Sequence, residues 1–128
     1  ERITTVRRGG LAAIAEASLE RWLTAGFRKQ APEAAARVCE MLLACPVAGY
    51  LGACAAVRDL DLLDRLGEVR VPTLVIDGRH DPTTRPAVAA QMAARLPDAR
   101  LVELDAAHLA YIEAEAAFTG ALAAFLDA

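Results

Sequence analysis

The sequence changes character once, at Val69-Arg70-Val71-Pro72, and that change limits the folds open to it. Beyond Pro72 it alternates between strand and helix. Thr73-Leu74-Val75-Ile76 is a short β-rich apolar run after a proline, the form of a parallel strand buried on both faces. A loop from Gly78 to Pro86 follows, then an amphipathic helix from Val88 to Leu96, a turn at Pro97-Asp98-Ala99 and a second strand from Arg100 to Leu104. After one more loop, the segment from Ala114 to Leu126 reads as a closing helix. The order β-α-β-α implies adjacent parallel strands joined by a right-handed crossover. Two strands do not stand alone as a sheet, because both outer edges would stay unpaired. The expected fold class is therefore α/β, with this chain a part of a larger sheet.

Upstream of Val69 everything reads as helix. Gly10 precedes an alanine-rich run from Leu11 to Phe27, in which Leu11, Ile14, Leu19, Trp22 and Leu23 fall on roughly one face. Pro32 suits the first turn of a second helix, with Ala35, Val38, Cys39, Leu42 and Leu43 as its apolar stripe, and Pro46 ends it. A third helix is expected from Val47 to Val57, and a short fourth from Leu60 to Leu66, stopped at Gly67.

With 55% hydrophobic residues in 128, the chain can fill a core without disulfides or metal. Its 14 basic and 17 acidic residues give a net charge of −3, with no basic stripe to follow a phosphate backbone, so nucleic acid is not an expected partner. Charges interrupt the apolar stretches well short of a membrane span, and no apolar signal core follows Glu1-Arg2-Ile3-Thr4-Thr5. Cys39, Cys45 and Cys54 are odd in number, show no CxxC spacing and have no neighbouring histidine. They read as free thiols of a cytoplasmic protein. None has a base beside it in sequence that would make it a nucleophile.

Asp81 follows the first strand in Asp77-Gly78-Arg79-His80-Asp81-Pro82-Thr83-Thr84, and His108 follows the second in Leu104-Asp105-Ala106-Ala107-His108-Leu109. Both thus stand at carboxyl ends of neighbouring parallel strands, the edge where open α/β sheets bind ligands. An aspartate that accepts from one imidazole nitrogen fixes the tautomer and leaves the other nitrogen free as a general base. Each residue alone has a simpler reading: Asp81-Pro82 as a turn initiator and His108 as a structural histidine. Strand-end placement and the order acid before base favour the joint catalytic reading. His80, next to Asp81 on the same loop, is expected to point elsewhere.

Residues 71–84 resemble the strand and acid loop of α/β-hydrolases, and Leu101 to Glu113, centred on Asp105-Ala106-Ala107-His108-Leu109, resembles their histidine loop. The helical half is similar to the cap of 3-oxoadipate enol-lactonases at Arg21-Trp22-Leu23-Thr24, at Phe27-Arg28 and above all over residues 49–61, beginning Gly49-Tyr50-Leu51-Gly52. The resemblance implies a partial α/β-hydrolase fold. Residues 1–68 would be the helical cap or lid and residues 69–128 the C-terminal β-α-β-α part of the core, with parallel strands.

The same resemblance implies a serine hydrolase that opens an enol-lactone in aromatic catabolism without a metal or organic cofactor. Asp81 and His108 would be the catalytic acid and base. Trp22 would wall the substrate pocket or merely pack the cap, and Arg58 would hold a substrate carboxylate unless Arg58-Asp59 is a solvated ion pair. The chain departs from the pattern at Arg85 and at Ala110-Tyr111, and more seriously in lacking any Gly-x-Ser-x-Gly or glycine-rich oxyanion loop. Its one serine, Ser18, lies in helical sequence. The nucleophile is expected upstream of Glu1, and these residues alone are expected to be inactive. The expected partner is a small lactone or ester, with no nucleic acid or membrane, and a homo-oligomer formed through the open strand edges. The alternatives are another cap-bearing esterase or hydrolase, or a non-catalytic unit that self-associates or binds a partner.

Overall fold

A computed structural model describes residues 1–128. The chain forms α1 (Arg2–Gly9), a 3-10 turn (Leu11–Ile14), α2 (Ala15–Trp22), α3 (Ala25–Gln30), α4 (Pro32–Leu43), α5 (Val47–Asp59) and a second 3-10 turn (Leu63–Glu68). Then come β1 (Thr73–Gly78), α6 (Pro86–Arg95), β2 (Ala99–Leu104), α7 (Ala110–Glu113) and α8 (Glu115–Leu126). Two compact units result: Glu1–Glu20 with Ala25–Asp61, and Arg21–Thr24 with Leu62–Ala128.

The first unit is wholly helical. Pro32 opens α4, where its missing N–H costs nothing, and Ala35, Val38 and Leu42 recur at helical spacing as its buried face. Val6, Leu11, Ile14 and Leu19 complete the buried apolar set. α1 packs against the first 3-10 turn and α5, and α3 packs against α4. Gly10 ends α1 at φ 66°, a backbone conformation that side chains disfavour. Ser18 is fully buried, its hydroxyl donating to the Ile14 carbonyl at 2.7 Å and accepting from Arg2 Nη2 at 2.6 Å.

The second unit is built on β1 and β2, which pair in parallel from Thr73 with Ala99 to Gly78 with Leu104. α6 packs on both strands and on the second 3-10 turn, and α8 also contacts both strands. Leu104, Ala106 and Ala110 form a buried cluster against which Ile76, Val102, Ala114 and Phe118 pack. With only two strands, each has one unpaired edge. Beside β1 an open apolar cavity of about 600 Å³ runs between Val71, Leu74, Ile76, Phe118, Leu122 and Phe125. This is the fold class expected of a partial α/β-hydrolase.

The elements differ from the sequence expectation mainly at breaks. The run from Leu11 to Phe27 is not one helix but a 3-10 turn and two helices, interrupted at Leu23-Thr24. The expected helix from Leu60 to Leu66 is a 3-10 turn that starts at Leu63 and runs through Gly67; the closing helix is found within one residue of its expected start, as α8, with the short α7 before it in what was expected to be loop. α1 lies in the stretch that reads as helix, ahead of the first helix given bounds. No single helix is long and apolar enough to cross a membrane; α4 and α5 reach that length only as a pair bent by 93°.

Candidate active site

The loops that leave β1 and β2 are bound to each other through their backbones. Arg79 N–H donates to the Leu104 carbonyl at 2.9 Å and His80 N–H to that of Ala106 at 3.0 Å, which carries the parallel pairing past the strand ends. Gly78 permits this approach. A Cβ there would overlap the Ala107 carbonyl oxygen and lie 2.6 Å from that of Ala106. Ala106 and Ala107 are themselves buried, so small residues line both sides of the contact.

On this frame the Asp81 carboxylate meets the His108 ring, with Oδ2 2.7 Å from Nδ1. The aspartate side chain is 3% exposed and the histidine side chain 33% exposed, so the acid is enclosed while the ring keeps access to solvent. The two readings of Asp81 turn out to describe different oxygens of one carboxylate. Oδ1 makes the local turn, accepting from Thr83 N at 2.6 Å and Thr84 N at 3.0 Å. Oδ2 holds the histidine and also accepts from the Thr84 hydroxyl at 2.6 Å. Burial pushes the Asp81 carboxyl up, but hydrogen bonds from the Thr84 hydroxyl, His108 and the Thr83 and Thr84 N–H groups outweigh it and hold it below its ordinary value. An ionised carboxylate facing Nδ1 makes that nitrogen the protonated one, leaving Nε2 as the basic atom.

Asp77, buried at the end of β1, shows the opposite balance. Burial, with the Asp81 and Glu103 carboxylates nearby, raises its carboxyl, and only the Gly78 N–H pulls the other way. His80 points away from Asp81, to Asp105, with Nε2 2.8 Å from Oδ1 in an exposed pair.

The other two candidates fall differently. Trp22 lies in the segment Arg21–Thr24 that groups with the strands, and its carbonyl accepts from Leu109 N at 2.9 Å, one residue from His108. Arg58 belongs to the helical unit. Its guanidinium makes a two-pronged pair with Asp59, Nε and Nη2 each 2.6 Å from a carboxylate oxygen, with both side chains exposed. It also lines an open cavity of about 430 Å³ with Arg2, Tyr50, Ala53, Cys54 and Val57. No group of three or more His, Cys, Asp or Glu side chains is placed to hold a metal ion.

Sequence reasoning missed three residues here. Thr84 completes the Asp81 carboxylate, and its position three residues after an aspartate in a turn was the available signal. Gly78 was seen only as the start of a loop. Glu113 accepts from Ala107 N at 2.9 Å and from both the backbone and the hydroxyl of Thr24. An acid in a short helix reads as a partner of the helix dipole, and nothing in the sequence marks it otherwise.

Known proteins share this fold. 3-Oxoadipate enol-lactonase 2 of Acinetobacter baylyi is 31% identical over 125 residues, which cover 98% of this chain and 47% of that protein. The enol-lactonase structure from Burkholderia xenovorans LB400 superposes with a TM-score of 0.97 at 35% identity, covering 99% of this chain and 49% of that one. A thermophilic esterase from Thermogutta terrifontis superposes with a TM-score of 0.90 at 29% identity, covering 98% and 47%. The chain spans about half the length of the curated relatives it matches. The family model described as the alpha/beta hydrolase fold matches residues 40–115, more than half of the chain, from the last turn of α4 through both strands and past His108 to the start of α8. By that match this chain belongs to the α/β-hydrolase fold family.

Proposed function

We propose that this chain supplies the acid and base of a serine hydrolase that opens an enol-lactone, the activity for which its relatives in A. baylyi and B. xenovorans are named. The observation that carries this reading is the 2.7 Å contact between Asp81 and His108 at the ends of two adjacent parallel strands. A serine outside these 128 residues attacks the lactone carbonyl while His108 Nε2 takes its proton, and Asp81 stabilises the imidazolium. The acyl–oxygen bond of the ring then breaks, the enol oxygen takes the proton back from His108, and an acyl-enzyme remains. Water, deprotonated by His108, releases the acid and restores the serine. The chemistry needs only acid–base and nucleophilic groups. Residues 1–68 serve as the lid apart from the segment Arg21–Thr24 that groups with the strands; Trp22 in that segment walls the substrate, Arg58 meets its free carboxylate, and the protein works in the cytoplasm.

The test is kinetic, in the protein that carries this sequence together with a nucleophile. His108→Ala should lower kcat by several orders of magnitude, and Asp81→Asn by about 10⁴-fold, because the amide favours the wrong tautomer. A folded His108→Ala variant that kept most of its turnover would sink the assignment. The likeness to the T. terrifontis esterase supports a second reading, hydrolysis of an open-chain ester by the same pair. The ratio of kcat/KM for an enol-lactone against a simple activated ester separates the two.

A further inference from the structure

The histidine loop is tied, on both sides of His108, to one short piece of chain from a distant part of the sequence. Ala107 N–H, immediately before the histidine, donates to Glu113 Oε2 at 2.9 Å. The same oxygen accepts from Thr24 N at 3.2 Å, and Glu113 Oε1 accepts from the Thr24 hydroxyl. Immediately after the histidine, Leu109 N–H donates to the Trp22 carbonyl at 2.9 Å. Leu23, between those two anchor points, is fully buried. The segment from Trp22 to Thr24 is thus a strap laid against the histidine loop, and the Glu113 side chain bridges the two.

We infer that Glu113 is a positioning residue for His108. It rests on the hydrolase reading above, and it assigns the carboxylate no contact with substrate. The physical argument is one of over-determination. The Asp81 contact fixes one atom of the imidazole, which leaves the ring free to swing about that atom unless the backbone carrying it is fixed as well. Glu113 and the Trp22 carbonyl fix that backbone at the positions before and after the histidine. Without the carboxylate, the Ala107 N–H loses its acceptor and its bridge to the strap, in a place where water does not readily replace it, and the loop must move to find another partner. A displacement on the order of 1 Å at a catalytic base costs about 100-fold in rate. Glutamine at this position can keep the arrangement. Its carbonyl takes the two N–H groups and its amide donates to the Thr24 hydroxyl, which turns from donor to acceptor.

The experiment compares Glu113→Ala, Glu113→Gln and wild type in the protein that carries this sequence with its nucleophile, and reads two signals. The first is the split of kcat and KM on an enol-lactone: Glu113→Ala should lower kcat by about 10–100-fold with KM within about twofold, and Glu113→Gln should stay within about threefold of wild type. The second is the low-field proton resonance of the His108–Asp81 hydrogen bond, which should broaden or vanish in Glu113→Ala and persist in Glu113→Gln. If Glu113→Ala does not fold, Glu113→Asp takes its place, since a carboxylate withdrawn by one methylene cannot bridge Ala107 and Thr24. An alanine or aspartate variant with unchanged kcat, or one that only lowers the melting temperature, overturns the inference. His108→Ala run alongside separates the two claims. If that variant remains active, the hydrolase reading has failed, and the resonance alone judges the link from Glu113 to His108.

Discussion

Gly78 and Ala107 are in backbone contact: a Cβ on Gly78 would occupy the space of the Ala107 carbonyl oxygen. The crowding arises because His80 N–H reaches the Ala106 carbonyl, pulling the histidine loop over the end of β1. Gly78→Ala should therefore destabilise the fold by about 1–3 kcal/mol, as forced overpacking against rigid backbone does. Urea denaturation is the check, and an unchanged midpoint would show that the loops part at no cost. In an active enzyme the same substitution should lower kcat, because the loop that moves carries His108.

Asp81 and Asp77 predict opposite responses to acid. The folded value of Asp81 lies below its ordinary 3.8, so its stabilisation is complete above that value and is lost as pH falls through the lower folded one. Asp77 is held above 3.8, so its ionisation counts against the folded state at neutral pH, and that penalty disappears as pH falls. At pH 7, Asp81→Asn should lower the urea midpoint and Asp77→Asn should raise it. The Asp77 difference should shrink as pH falls toward the ordinary aspartate value and be gone below it, whereas the Asp81 difference should begin to shrink only below that value. Loss of stability in Asp77→Asn at pH 7 comparable to that in Asp81→Asn would contradict the opposite signs.

The 128-residue chain by itself should show no turnover of an enol-lactone or an activated ester. Its one serine is buried with its hydroxyl bonded to Ile14 and Arg2, and the hydroxyl beside the pair, that of Thr84, is committed to Asp81 Oδ2 on the Nδ1 side of the ring, away from the basic Nε2. Stopped assays at high protein concentration are the measurement, and turnover above buffer that His108→Ala abolishes would contradict the mechanism.

Arg58 has its guanidinium committed to Asp59 in the exposed pair, so under the proposed role for Arg58 a substrate carboxylate competes with that partner. Asp59→Asn should then lower KM for a lactone bearing a free carboxylate and leave KM for an uncharged ester unchanged. Arg58→Ala should raise the first and leave the second alone, with kcat nearly constant in both variants, the signature of binding that is equal in ground and transition states. Equal KM changes for the charged and uncharged substrates would remove Arg58 from the binding site.

Local sequence was sufficient for the order of elements around the site. The proline before Thr73, the apolar run after it and the turn at Pro97 fix two strands and the helix between them, because strand and turn preferences act over a few residues. Parallel pairing then brings Asp81 and His108 to one edge as a matter of topology, which is why the pair was legible without coordinates. Tertiary structure decided where the helical run from Leu11 breaks. Apolar spacing reports which face of a helix is buried, but the interruption at Leu23-Thr24 is set by the Thr24 N–H bonding to Glu113, 89 residues away. Glu113 itself, the Gly78 contact and the second oxygen of Asp81 were hidden for the same reason. Each depends on two loops meeting in space, and a hydrogen bond between distant residues leaves no periodic trace in either stretch of sequence.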